Sequence, residues 1–208
     1  PHSTNAKHPN AYKTYVVIGH RITSMLMKLS SPVFQMQKTA AIRLEDIKIK
    51  PKETMKRLCK YLGIKEMPTL YESTMQGLKW WGDPSSSLFG QTQTIKSSDD
   101  DPIRAETGRF FSSNDQFVLN TLFYPLSAKF GYVEQNDNGF RSNLEKIRPL
   151  IEEPLDFEIA LSEKFSTEYP DLKMTGAFKY LHATLISTWH TLKENGTYPH
   201  MVKTLPDL

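Results

Sequence analysis

At 208 residues, with an apolar fraction of 38% and a charged fraction of 24%, the chain is long enough for one domain with a real core and is not of disordered composition. A net charge of +3 and a pI near 8.8 suit an anionic small molecule, but fall short of the basic surplus that nucleic-acid binding needs. The single cysteine excludes an intrachain disulfide framework and a cysteine-built zinc site, and no apolar run approaches the length of a membrane span.

Residues 1–10 are polar, punctuated by Pro1 and Pro9, and read as a loose segment. The chain opens without Met and without a signal-peptide pattern. That sets the expectation of a fragment or processed product and leans toward the cytoplasm, with the compartment left open. Residues 11–29 follow as a predicted helix with Tyr15, Ile18, Ile22, Met25, Leu26 and Leu29 on one face; the β-branched pair Val16-Val17 keeps a strand start as an alternative. Ser30-Ser31-Pro32 ends it.

Ala41 to Leu44 reads as a short strand buried on both faces, broken by Glu45-Asp46. Pro51 then occupies a first helical position, where its missing N–H costs nothing. Met55, Leu58, Cys59 and Leu62 form the apolar stripe, Lys52, Lys56, Arg57 and Lys60 the wet face, and Gly63 the left-handed stop. Strand, acidic corner, helix and glycine stop make a βα unit of a parallel sheet. Cys59, on the apolar face, reads as a small buried hydrophobe rather than a nucleophile.

A short helix is predicted over Thr69 to Met75. Gly77 to Gly90 is rich in turn formers, and polar residues with the run Asp99-Asp100-Asp101 carry the loop on to Glu106. Loops of this length are often lids or binding loops, or else disordered. Ser113 with Gln116 forms a capping box opening a helix with Val118, Leu119, Leu122, Phe123 and Leu126 on one face, kinked by Pro125. Asn136 to Gly139 reads as a turn, and helices are predicted over Ser142 to Ile147, Pro154 to Phe165 and Thr175 to Glu194. The last carries the stripe Phe178, Leu181, Leu185, Trp189 and Leu192, with Gly196 as its stop.

Two of these stretches resemble a known family. Arg43-Leu44-Glu45-Asp46-Ile47, Pro51, Leu58-Cys59 and Tyr61-Leu62-Gly63-Ile64 look like the late strand–helix unit of sulfotransferases that use PAPS (3′-phosphoadenosine 5′-phosphosulfate). Gly108-Arg109-Phe110, the helix from Ser113, and Phe130-Gly131-Tyr132 resemble that family's closing segment. The matches come in the family's order and cover about residues 40–132, under half of the chain. The resemblance implies an α/β fold: the C-terminal part of a P-loop-like sulfotransferase domain over residues 1–132, predominantly helical in this chain with few strands. Residues 133–208 would be a helical C-terminal extension packed on the same domain. It implies transfer of a sulfuryl group from PAPS, with no metal required, to a hydroxyl or amine on a small-molecule or glycan acceptor.

Such an enzyme needs a Ser/Thr/Gly-rich loop between a strand and a helix, whose N–H groups cradle the phosphosulfate. No such loop is recognisable in this sequence. Ser85-Ser86-Ser87 is the nearest imitation, with neither a buried strand before it nor an amphipathic helix after it. Arg21 and Ser24 have the spacing of a 3′-phosphate pair but lie within a helical pattern, where a solvated face is the plainer reading. The expectation is therefore that the cofactor half lies upstream of Pro1, and that this piece alone is inactive.

Within the chain, Arg109 is the residue placed by the resemblance near the nucleotide, where a guanidinium can fork onto a phosphate; an exposed pairing with Glu106 or Asp115 is the alternative. Trp80 and Trp81 suit stacking on adenine or walling an acceptor pocket, with core plugging as the alternative. Glu45 and Asp46 read as a structural corner, Asp46 tying down backbone N–H groups before the helix, rather than as acid–base catalysts. His20 has no matching context for the family's base, and the catalytic residue is unassigned. His182 and His190 lack a ligand partner at i+4, so a metal is not expected. Asn195-Gly196-Thr197 is a glycosylation sequon that, without a secretory signal, says little.

Two rival readings remain: a non-catalytic helical interaction module that keeps the scaffold without the phosphosulfate loop, and a different P-loop-like transferase such as a small-molecule kinase.

Overall fold

The secondary structure is predominantly α-helical in a computed structural model that describes residues 10–29, 31–32, 39–71, 74–75, 78–79, 111–168 and 175–205. In chain order the helices are α1 (Asn10–Leu29), α2 (Leu44–Ile49), α3 (Pro51–Leu62), α4 (Ser113–Leu122), α5 (Tyr124–Lys129), α6 (Asp137–Ile147), α7 (Asp156–Glu168) and α8 (Thr175–Asn195). Short 3₁₀ turns cover Pro68–Tyr71 and Pro149–Ile151. Among the described residues, extended structure is limited to β1 (Thr74–Met75) and β2 (Leu78–Lys79), paired antiparallel, and one isolated bridge. The chain divides into two compact units. One joins residues 1–37 to 102–201, the other joins 38–101 to 202–208.

The first unit is a helical bundle. The α1 stripe is nearly as predicted: Ile22, Leu26 and Leu29 are buried, but Met25 is 49% exposed and Thr23 takes the inward position. Val16 and Val17 lie within this helix, not in a strand. Helix α1 packs on α7 and α8, and α4 packs on α6, α7 and α8. On α8, Leu181, Leu185, Trp189 and Leu192 are all buried, and Gly196 ends the helix at φ 70°. The polar tips of the two large aromatics are satisfied by backbone. Trp189 Nε1 donates to the Leu144 carbonyl at 2.8 Å, and the Tyr198 hydroxyl donates to that of Leu122 at 2.7 Å. Burial pushes the Tyr198 phenol well above its ordinary pKa. The Arg148 guanidinium sits 5.3 Å over the Trp189 ring and pairs with Glu152 at 2.9 Å.

Three local expectations are corrected in this unit. The capping box is Ser112 with Asp115, one residue earlier than the Ser113–Gln116 pair. Asp is one carbon shorter than Glu, yet its carboxylate reaches back to the Ser112 N–H at 3.0 Å while Ser112 Oγ accepts from Asp115 N–H at 3.0 Å. Residues 137–139 are helical rather than a turn, because Asn136 is an N-cap whose Oδ1 accepts from Gly139 N–H at 2.9 Å. Pro125 ends α4 more completely than a kink would: Phe123 separates α4 from α5, and Pro125 falls in the first turn of α5, where its missing N–H is harmless. Helix α5 is closed by Gly131 at φ 70°, with Tyr132 N–H donating to the Ser127 carbonyl at 2.8 Å.

In the second unit the helix α3 follows the sequence at both ends. Pro51 lies in its first turn, and Gly63 closes it at φ 70° with its N–H on the Cys59 and Lys60 carbonyls. Cys59 is buried. The βα unit, however, is not formed. Ala41 makes only a single parallel bridge, to Thr204, with its N–H on the Lys203 carbonyl at 2.8 Å, and Leu44 starts α2 with its side chain 56% exposed. Glu45 and Asp46 do not break a strand but fill the first turn of a helix, where acidic side chains complement the helix dipole. Among the described residues there is no parallel sheet for it to cover, and the α3 stripe is not fully buried. Met55 and Leu58 are half-buried, Leu62 is 50% exposed, and Thr54 joins Cys59 as the buried pair. The helix expected over Thr69–Met75 reduces to the Pro68–Tyr71 turn followed by β1.

Candidate functional site

The site residues chosen from sequence, Arg109, Trp80 and Trp81, lie outside the described residues, as do Ser85–Ser87 and residues 81–106 of the loop that holds them. Arg21 and Ser24 lie within α1, with Arg21 and His20 exposed and Ser24 half-buried, which is the helix-face arrangement. His190 is exposed on α8 and meets Trp189 edge-on at 5.1 Å. Among the described residues no three His, Cys, Asp or Glu side chains gather as metal ligands, and no helix is long and apolar enough to cross a membrane.

The Glu45-Asp46 corner is structural by a different route from the one expected. Arg43 forks onto Asp46, Nε to Oδ2 at 2.9 Å and a terminal nitrogen to Oδ1 at 2.5 Å. It is the Asp46 backbone carbonyl, not its carboxylate, that ties the corner to the next helix. That carbonyl accepts from Lys50 N–H at 2.9 Å and from Thr54 Oγ1 at 2.9 Å. The bond from Arg43, aided by its charge and those of Arg57 and Lys50, holds the Asp46 carboxyl below the usual range against the opposing effect of burial. A carboxylate so engaged is ill placed to accept a proton from a substrate.

Asp115 is the most thoroughly buried carboxylate among the described residues of the bundle, with no exposed surface. Beyond the Ser112 N–H it accepts from Asp156 N–H at 2.8 Å and Phe157 N–H at 3.0 Å, the free donors at the start of α7. Ser112 Oγ in turn donates to Asp156 Oδ2 at 2.5 Å, and Glu158, also buried, takes the Leu155 N–H at 2.8 Å. Both helix starts are therefore knotted at one carboxylate, which is a structural use of Asp115 rather than a surface pairing.

A cleft lies between α4, α5 and α6, with a volume of about 330 Å³. Its apolar lining is Phe117, Val133 and Phe140, and its polar lining includes Asn120, Ser127, Asn136 and Asn143. Tyr124 completes it, its ring stacked on Phe140 at 4.8 Å between centroids and its hydroxyl accepting from the Asn136 backbone N–H. No charged side chain lines the cleft. The sequence reading passed over this group. Phe117, Asn120, Thr121 and Tyr124 nevertheless recur at i, i+3, i+4 and i+7, an aromatic–amide stripe beside the apolar one.

Comparison with models of known families, with characterised proteins and with solved structures found no match.

Proposed function

We propose that the chain is the C-terminal part of a PAPS-dependent sulfotransferase, moving a sulfuryl group from PAPS to a hydroxyl or amine acceptor. The observation that carries this reading is local. Of the two segments that bear the resemblance, the helices and their glycine stops are formed. One is α3, entered at Pro51 and closed at Gly63; the other is the capped α4–α5 segment, closed at Gly131-Tyr132. Sulfuryl transfer runs through a loose, charge-spread transition state, so positioning and anion stabilisation are the protein's task. Arg109 would serve the nucleotide, with Trp80 and Trp81 as stacking surfaces. The P-loop-like sheet and its cradle belong to this proposal and would be supplied from outside the recognisable segments.

One observation favours the second reading, a non-catalytic helical interaction module. Leu44–Ile49 is a helix where the family's strand would continue, so the acidic corner does not terminate a parallel strand. Expression of the entire open reading frame that encodes the chain separates the two. The transferase reading expects saturable binding of adenosine 3′,5′-bisphosphate by calorimetry and transfer of radiolabelled sulfate from PAPS to an acceptor panel, with binding weakened in Arg109→Ala. A folded product that binds no bisphosphate would overturn it in favour of the module.

A further inference from the structure

We propose that the cleft between α4, α5 and α6 is a binding site for an uncharged, hydroxyl-rich ring of the sugar type. The inference rests on this cleft alone and is independent of the transferase reading.

The lining selects the ligand class. A cleft of about 330 Å³ lies at the low end of the range for small-molecule sites. Its lack of charged lining residues removes the usual means of holding a phosphate, carboxylate or ammonium group. What it offers is carboxamides and hydroxyls beside aromatic rings. A carboxamide has both a donor and an acceptor end, so Asn120 and Asn143 can each engage a neighbouring pair of hydroxyls, which also donate and accept. The C–H face of a sugar ring is the apolar counterpart that the phenylalanine wall requires.

The polar groups are also unspent. Among the described residues, the side chains of Asn120, Ser127 and Asn143 have no hydrogen-bond partner within the protein. By contrast Thr121, on the same stripe, donates its hydroxyl back to the Phe117 carbonyl at 2.7 Å and so has spent its proton. Asn136 spends its oxygen on the α6 N-cap, leaving its amide donors free. That cap fixes the donors in place: a Cβ at Gly139 would lie 2.7 Å from Asn136 Nδ2, so only glycine leaves the Asn136 amide where it stands. The hydroxyl of Tyr124 accepts from Asn136 N–H and keeps its own proton to donate. The cleft thus carries free donors and acceptors beside aromatic rings.

The test is titration of the full 208-residue chain, labelled with ¹⁵N, with the methyl glycosides of glucose, galactose, mannose and N-acetylglucosamine. Methyl glucuronide, which has the same ring with a negative charge, is the counter-probe. The expected result is saturable movement of the Asn120, Asn136 and Asn143 side-chain amide signals with at least one neutral glycoside, and weaker or no movement with the glucuronide. Asn143→Leu and, separately, Asn120→Leu should each weaken that binding about five- to tenfold, the worth of one neutral hydrogen bond, while the dispersed backbone spectrum of the fold persists. Absence of saturable movement with every neutral glycoside overturns the proposal. So does equal or tighter binding of the glucuronide, or movement that maps away from these three amides.

Discussion

Replacing Asp115 tests whether one carboxylate holds two helix starts. Its oxygens accept from Ser112, Asp156 and Phe157 N–H at 2.8–3.0 Å, in a site with no solvent exposure. Asp115→Ala strands all three donors. A buried donor without a partner costs about 1–3 kcal/mol, but the vacated carboxylate volume admits water that satisfies part of the set, so the expected loss is about 3–5 kcal/mol. That is a large share of the roughly 5–15 kcal/mol that holds a typical domain folded. Asp115→Asn keeps one accepting oxygen and turns an amide donor toward a backbone donor, so it should fall between the alanine variant and the wild type. Ser112→Ala, which removes a cap but leaves the carboxylate, should cost about 1 kcal/mol. Urea unfolding followed by far-ultraviolet circular dichroism gives all three values. A loss below about 1 kcal/mol for Asp115→Ala, the range of a single exposed cap, would refute the account of a shared buried knot.

Two further outcomes follow from the packing and the charges. Leu185 is 1% exposed at the centre of α8, so Leu185→Ala should lower stability by about 2–5 kcal/mol, read from the urea midpoint; a smaller loss would mean the bundle collapses around the cavity or that α8 is packed otherwise. Arg43 lowers the Asp46 pKa in the folded state, so the stability this pair contributes is present above the unfolded pKa of about 3.9 and is lost as pH falls through the lower folded value. The stability gap between the wild type and Arg43→Gln should therefore be open at about pH 5 and shrink toward about pH 2, and a gap constant over that range would refute the assignment.

Helices with a long one-sided stripe were legible in the sequence, because burying that stripe is what forms them. Thus α8 and its four buried residues were legible, as were the glycine stops at Gly63 and Gly196, whose φ of 70° only glycine takes without strain. The short elements were not. Ala41 to Leu44 has strand-like composition, but four residues cannot choose their own state, and the local fork between Arg43 and Asp46 joins the start of a helix instead. The capping box was misplaced by one residue because adjacent serines, Ser112 and Ser113, are equivalent on paper, and only the contact with α7 distinguishes them. The cleft was not legible for a related reason. Asn120 and Asn143 are solvent-face residues in their own helices and gain meaning only when α4 packs on α6.

The two units alternate along the chain. Residues 38–101 belong with 202–208, and the intervening 102–201 belong with α1. As the chain leaves the ribosome, neither unit can be finished early. The inward residues of α1 must wait for α8, nearly the whole length of the bundle, which at about 5–20 residues per second is a delay on the order of ten seconds. The 38–101 segment waits about as long, since the Ala41 N–H donates to the Lys203 carbonyl and the Arg57 guanidinium to that of Leu205. A nascent chain arrested before residue 202 therefore carries an unsatisfied α1 face or an open second unit at every length. Ile22, Leu26 and Leu29 are the apolar face of α1 left open through that delay.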